Sequence, residues 1–135
     1  MYKNLYKIDL KYEPATLEEI ERIQKEFNMI FPEDYKGFLL YSNGADGEVG
    51  NNQLVVWDIQ QIIDFFNELL KYMGEGDIPD ILIFASDGAT QGYGFIGENG
   101  KTSIISVDLD AIDIDYSEFC GNTFEEFLKH LSENN

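Results

Sequence analysis

The chain of 135 residues has little cysteine, little proline and no long hydrophobic run. Its single cysteine, Cys120, excludes an intrachain disulfide, which suits a reducing compartment. No apolar stretch approaches the ~20 residues that a membrane helix needs. The lysines near the N-terminus are not followed by an apolar run, so a secretory signal is not expected. These absences predict a soluble, cytoplasmic protein that is not associated with a membrane.

Positive charge is also scarce, because nine Lys and Arg stand against 26 Asp and Glu, for a net charge of −17. Residues 1–30 hold five of the basic and six of the acidic residues, so residues 31–135 carry nearly all of the excess. Such a surface repels a phosphate backbone, which argues against direct nucleic-acid binding. It favours fast, salt-sensitive association with a basic protein partner. Solubility alone accounts for the acidity equally well.

The apolar residues form periodic segments in an order typical of α+β proteins. Apolar residues make up 44% of the chain and aromatic residues 14%, which predicts an ordered core in a single domain over residues 1–135. Alternating or continuous apolar runs predict strands at residues 6–12, 53–57, 81–85, 92–96, 102–107 and 111–116. Helical spacing predicts helices at residues 16–28, 32–42, 58–73 and 123–131. Helices come early and strands late, so we expect a mostly antiparallel central sheet covered by about four helices.

Turn and cap residues separate these segments. Thr16 with Glu19, and Thr123 with Glu126, match the capping box that starts a helix. The Gly-, Asn- and acid-rich stretch 43–52 is predicted to be a loop, and residues 74–79 a turn. Asn99-Gly100 supplies the positive φ of a hairpin.

Three patterns that carry chemistry in other proteins occur in this chain. Gly92-Tyr93-Gly94-Phe95-Ile96-Gly97 matches a dinucleotide-binding motif, but it lies inside a predicted strand and no helix follows. The glycines more simply allow another backbone to approach closely. Cys120 is predicted to lie in the turn before the final helix and His130 near the far end of that helix. Seven helical residues already span about 10 Å, too far for a hydrogen bond between the two. The third pattern is an acidic cluster of Asp108, Asp110, Asp113 and Asp115. Its spacing does not match a calcium-binding loop that starts at Asp108 or at Asp113.

No catalytic, cofactor-binding or metal-binding residue is therefore predicted. The acidic cluster is either a solvated rim or a patch that grips lysines and arginines of a partner. Most aromatic residues are predicted to lie in the core or at its boundary, and one exposed beside the acidic loops would be a natural contact hot spot. The aromatic residues to which this prediction applies are Tyr35, Tyr41, Trp57 and Tyr93.

Four segments together resemble the SUKH superfamily, which includes fungal cell-wall-assembly regulators and bacterial immunity proteins of polymorphic toxin systems. The first two are Pro14-Ala15-Thr16 and the stretch from Phe31-Pro32-Glu33-Asp34-Tyr35-Lys36 to Asn43-Gly44. The others are Phe84-Ala85-Ser86-Asp87-Gly88 and Thr123-Phe124-Glu125-Glu126-Phe127-Leu128. The resemblance covers about residues 6–131. It departs after Gly88, where family members often have more glycines and an acidic residue and this chain has Ala89-Thr90-Gln91.

The resemblance implies a non-enzymatic binding protein that neutralises a cognate toxin, often a nuclease. The charge suits this role, because a nuclease presents a basic groove that carboxylates could cover. The residues predicted to contact the partner are Asp46, Glu48, Asp87, Gln91, Asp108, Asp110, Asp113 and Asp115. Two alternatives stay open: a regulatory or scaffolding interaction module, and an enzyme or small-ligand binder that uses the acidic cluster.

Overall fold

A computed structural model describes residues 2–73, 80–98 and 100–133 of the chain. The strands found there are β1 (Lys7–Lys11), β2 (Ala45–Val49), β3 (Asn52–Val56), β4 (Leu82–Ser86), β5 (Gln91–Glu98), β6 (Lys101–Asp108) and β7 (Glu118–Gly121). The α-helices are α1 (Leu17–Phe27), α2 (Glu33–Tyr41), α3 (Ile59–Met73) and α4 (Phe124–Glu133). Short 3₁₀ helices cover Tyr2–Asn4 and Ile114–Tyr116. No helix within these ranges is both long enough and apolar enough to span a bilayer.

Each strand pairs with the strand that follows it in the chain, and all six pairings are antiparallel. The result is one seven-stranded sheet in sequence order. Helices α1 and α2 enter between β1 and β2, α3 enters between β3 and β4, and α4 follows β7. The predicted α+β class, with an antiparallel sheet and four helices, is confirmed.

The helix ends follow from local hydrogen bonds. Thr16 Oγ1 accepts the Glu19 N–H at 3.1 Å, and Glu19 Oε1 accepts the Thr16 N–H at 2.9 Å, so the predicted capping box is present. Asn28 ends α1 with a φ of 51°. At α4 only half of the predicted box forms. Glu126 donates its N–H to Thr123 Oγ1, but its carboxylate accepts from the Asn122 N–H rather than from Thr123.

Residues 31–44 connect α2 to three other parts of the fold. Both carboxylate oxygens of Asp34 accept backbone N–H groups at the start of α4, from Phe124 and Glu125, each at 2.9 Å. Asn43 Oδ1 accepts the Ile59 N–H at the start of α3, at 3.0 Å. Gly44 has a φ of +93°, and a Cβ there would lie 2.8 Å from the β3 carbonyl of Val56. The segment that carries the family signature is therefore a structural joint.

The large cluster of buried side chains fills the space between the sheet and all four helices. It includes Tyr35, Phe38, Phe84, Phe95 and Phe124. The rings of Tyr35 and Phe84 meet edge-to-face, and the ring of Phe124 lies tilted against those of Tyr35 and Phe38. Tyr35 is fully buried at its centre, where desolvation raises the pKa of its hydroxyl. That hydroxyl has no hydrogen-bond partner among the described residues.

A second, small cluster lies on the other face of β4–β6 and comprises Ile81, Ile83, Ile105 and Val107. Half-buried side chains cover it, and they come from Trp57 before α3, from Phe65 of α3, and from Leu109, Ile112 and Ile114 of the β6–β7 connection. Here the glycines of β5 matter. A Cβ on Gly92 would lie 2.3 Å from Leu109 Cδ2, and one on Gly94 would lie 2.5 Å from Ile81 Cγ1. The glycines thus make room for side chains, not for a backbone as predicted.

The secondary-structure predictions are wrong for two segments and for Cys120, which lies on β7 and not in a turn. Residues 45–49, predicted within a loop, form β2, because β1 and β3 supply hydrogen bonds on both sides. Residues 111–116, predicted as a strand, end in the 3₁₀ helix Ile114–Tyr116, and the edge of β6 is occupied instead by β7. The predicted β5–β6 hairpin is confirmed, with Glu98 opposite Lys101 and a φ of +76° at Gly100. The predicted turn at 74–79, the helix stop at Gly74 and the role of Asn99 lie outside the described residues.

Candidate functional site

Asp46 and Glu48 lie on β2, and both side chains point away from the large cluster. They alternate with Ala45, Gly47 and Val49, which are buried. Because cross-strand neighbours share a face, Asp46 lies beside Leu10 of β1 and Val55 of β3, and Glu48 lies beside Lys7 and Gln53. The Tyr12 hydroxyl donates to Asp46 Oδ2 at 3.3 Å. These two carboxylates therefore lie on the face of the first three strands opposite the large cluster, where Glu48 is exposed and Asp46 is half-buried.

Asp87 closes the turn between β4 and β5. Its Oδ1 accepts the backbone N–H groups of Ala89 at 2.8 Å and Gln91 at 3.1 Å. The Asp87 N–H in turn donates to the Gln91 carbonyl at 3.0 Å. Gly88, with a φ of +82°, lies against the side chain of Gln53, which is the cross-strand neighbour of Glu48. Asp87 thus shapes the turn, and the turn adjoins the face that carries Glu48.

The end of β6 joins this turn. Gln91 and Asp108 are direct partners across β5 and β6, and the Leu109 N–H donates to the Thr90 carbonyl at 2.7 Å. Asp108 Oδ1 accepts the Asp110 N–H at 2.9 Å. The fold thereby brings Asp87, Gln91, Asp108 and Asp110 together at one end of the sheet, although residues 92–107 separate them in the sequence.

The acidic segment, residues 108–115, continues from this end across the small cluster. Asp108, Asp110, Asp113 and Asp115 are exposed, whereas Leu109, Ile112 and Ile114 are half-buried against the sheet. Asp113 Oδ1 accepts the Asp115 N–H at 2.9 Å and so caps the 3₁₀ helix. The alternation that predicted a strand is real, but it belongs to a segment packed on the sheet rather than paired with it.

Chemically, this arrangement offers negative charge and hydrogen-bond acceptors rather than a reaction centre. Across the described ranges, no group of three or more His, Cys, Asp or Glu is arranged to hold a metal ion. One oxygen on each of Asp87, Asp108 and Asp113 is already engaged by backbone N–H groups of its own turn.

Cys120 lies on β7, where the prediction placed it in a turn, and its thiol is buried. Burial raises the pKa of this thiol to about 11, so it stays protonated near neutral pH. His130 Nε2 lies 3.2 Å from Glu118 Oε1. A nucleophilic cysteine needs its pKa lowered, and this environment does the opposite.

The sequence reasoning missed two kinds of residue. Asp34 was identified as part of the resemblance, yet its carboxylate caps α4, which lies 90 residues further along the chain. Tyr116 and Phe119 were not singled out, although both are exposed immediately after the acidic segment. Of the four aromatic residues considered, Tyr35 and Tyr93 are buried, Trp57 is half-buried, and Tyr41 is exposed beside the side chains of Lys3 and Lys11. No local signal distinguishes an exposed tyrosine from a buried one, since exposure depends on what packs over it.

Comparison with curated proteins finds no match for this chain. The model of the SMI1 / KNR4 family (SUKH-1) matches residues 14–130. The match begins at Pro14, before α1, and ends within α4, so it takes in α1–α4 and β2–β7. Strands β2–β7, the joint at residues 31–44 and most of α4 lie within the matched residues: the chain belongs to the SMI1 / KNR4 family (SUKH-1).

Proposed function

We propose that this chain is an immunity-type protein that binds and neutralises a basic toxin domain through its exposed carboxylates. One observation carries the proposal. In the acidic segment the aliphatic side chains hold the backbone on the sheet, while the four aspartates face solvent. The fixed backbone presents these charges in one arrangement, which lowers the entropy lost on binding.

The family is compatible with immunity and with regulatory roles, and both are roles in protein–protein interaction. The charge of −17 favours a basic partner. A nuclease toxin fits this requirement, because it must present a basic groove to its own phosphate-backbone substrate. Carboxylates that enter this groove would exclude the substrate. Asp87 and Gln91, at the same end of the sheet, and Asp46 and Glu48, on β2, complete the proposed contact surface.

Co-expression with the toxin domain encoded beside this gene tests the proposal. The chain is expected to restore growth and to co-purify with the toxin domain. Failure to restore growth, together with no complex in a pull-down, would contradict it. A stable complex with a host protein and no toxin gene nearby would instead support the regulatory alternative.

A charge-matched pair of variants separates the acidic segment from overall acidity. Asp110→Asn with Asp115→Asn removes two exposed charges, and these carboxylates are not the acceptors that cap the turns. Glu21→Gln with Glu26→Gln removes two exposed charges from α1. We expect the first variant to weaken binding about tenfold at low salt and to flatten its salt dependence. The α1 variant should bind like the wild type, and equal losses in the two variants would indicate a net-charge effect only.

A further inference from the structure

Two aromatic side chains stand exposed directly after the acidic segment. Tyr116 is 88% exposed at the end of the 3₁₀ helix, and Phe119 is 57% exposed on β7. Large apolar side chains in this setting are typical of contact surfaces, where aromatic residues carry much of the binding energy. We propose that Tyr116 and Phe119 are the apolar anchors with which this chain holds the basic face of its protein partner, an inference that rests on the proposed function.

The backbone below these two residues is fixed. The Tyr116 N–H donates to the Asp113 carbonyl at 3.1 Å. Ser117 donates to the Ile114 carbonyl twice, from its N–H at 3.1 Å and from its hydroxyl at 2.6 Å. Phe119 is the cross-strand partner of Ile105, a member of the small cluster, and therefore lies on the same face of the sheet. Both rings are displayed by a preorganised segment, which keeps the entropic cost of binding low.

The surrounding charge selects the partner. Residues 102–128 contain seven acidic residues and no lysine or arginine, and two of the seven, Asp113 and Asp115, lie within the three residues before Tyr116. Arginine matches such a surface, because its guanidinium stacks on an aromatic ring and pairs with a carboxylate at the same time. A second copy of this chain, with its own charge of −17, would be repelled, as would an anionic membrane. The occupant that fits is an arginine-bearing protein surface.

The test measures the affinity of the full chain for the purified toxin domain encoded beside its gene, by isothermal titration calorimetry. Tyr116→Ala is expected to weaken binding about 30-fold and Phe119→Ala about tenfold, as central aromatic contacts do. Tyr72→Ala is the matched control, because Tyr72 is 83% exposed on α3, outside the acidic segment. This variant should bind within about twofold of the wild type, as substitutions outside an interface do. Thermal unfolding of each variant checks that the fold is kept, and Tyr116→Ala carries the test alone if Phe119→Ala is unstable.

The possible outcomes separate this inference from the proposed function. Tight wild-type binding with Tyr116→Ala and Phe119→Ala no weaker than Tyr72→Ala would overturn the anchor role and leave the proposed function standing. A wild-type chain that does not bind the toxin domain would overturn both. Self-association that Tyr116→Ala abolishes would assign the aromatic pair to a second copy, and so would also overturn the inference. Protection of residues 114–119 from hydrogen exchange in the toxin complex would support it.

Discussion

Removal of the Asp34 carboxylate should loosen the junction between α2 and α4. Its two oxygens accept the N–H groups of Phe124 and Glu125, each at 2.9 Å, in a half-buried position. Loss of a helix cap costs about 0.5–2 kcal/mol, and hydrogen bonds to a charged group contribute about 1.5–3 kcal/mol. Because Thr123 Oγ1 still accepts the Glu126 N–H, α4 keeps part of its cap. We therefore expect Asp34→Ala to lower the free energy of unfolding by about 2–3 kcal/mol.

Urea unfolding followed by far-UV circular dichroism measures this change. The midpoint should fall while the m-value stays constant, since the folded state buries the same surface. At this chain length the loss corresponds to a fall in Tm of about 10 °C. Asp34→Asn keeps one carbonyl acceptor but loses the charge, so it should show roughly half of the effect.

Glu33→Ala is the matched control, because it removes the neighbouring carboxylate from the same first turn of α2. Glu33 is 89% exposed and forms a surface ion pair with Lys36 at 2.7 Å. Such pairs contribute little, so the change in stability should stay within about 0.5 kcal/mol. If Asp34→Ala were no more destabilising than Glu33→Ala, the carboxylate would not hold α4 and the reasoning would be refuted.

Three further predictions concern the two clusters. Tyr35→Phe should raise the free energy of unfolding by about 1 kcal/mol in urea titrations, because it removes a buried hydroxyl that has no partner among the described residues; a loss of stability would contradict this. Gly92→Ala should lower the free energy of unfolding by about 1–3 kcal/mol in the same assay, because its Cβ would lie 2.3 Å from Leu109 Cδ2. An unchanged midpoint would show that the acidic segment can move to accommodate the Cβ without loss of stability. Burial raises the pKa of Cys120 to about 11 and that of Tyr93 to about 12, so the unfolded chain releases these protons first. The free energy of unfolding should therefore be constant up to about pH 8, where an unfolded cysteine begins to ionise, and should fall as the pH rises further. A pH series of urea midpoints measures that fall, and Cys120→Ala should make it shallower.

The helices were predictable from the sequence because their signals are local. Thr16 and Glu19, for example, cap α1 without help from any other element. Strand β2 was not predictable, because glycine and acidic residues have low strand propensity. It forms where two neighbouring strands supply hydrogen bonds, and Gly47 is required there because a Cβ would lie 2.2 Å from the Lys7 carbonyl oxygen. Tertiary packing, not local sequence, decides the state of such a segment.

The charged residues of the candidate site were predictable from the sequence, but the way their segment packs on the sheet was not. The aspartates of residues 108–115 were identified from composition and spacing. Their attachment to the sheet depends on contacts of Leu109, Ile112 and Ile114 with the small cluster, which residue spacing cannot reveal. The exposure of Tyr116 could not be predicted from the sequence either, because it arises from the fact that no described element packs over its ring.

The position of α4 in the fold also matters while the chain is being made. Helix α4 contributes four side chains to the large cluster: Phe124, Phe127, Leu128 and Leu131. The Asp34 carboxylate can accept its hydrogen bonds only after the N–H groups of α4, 90 residues further along the chain, have been synthesised. A nascent chain therefore keeps one side of its aromatic core uncovered until α4 has left the ribosome. Chains that end early should retain that apolar surface, which chaperones and proteases recognise. Completion of the aromatic core thus depends on the synthesis of α4.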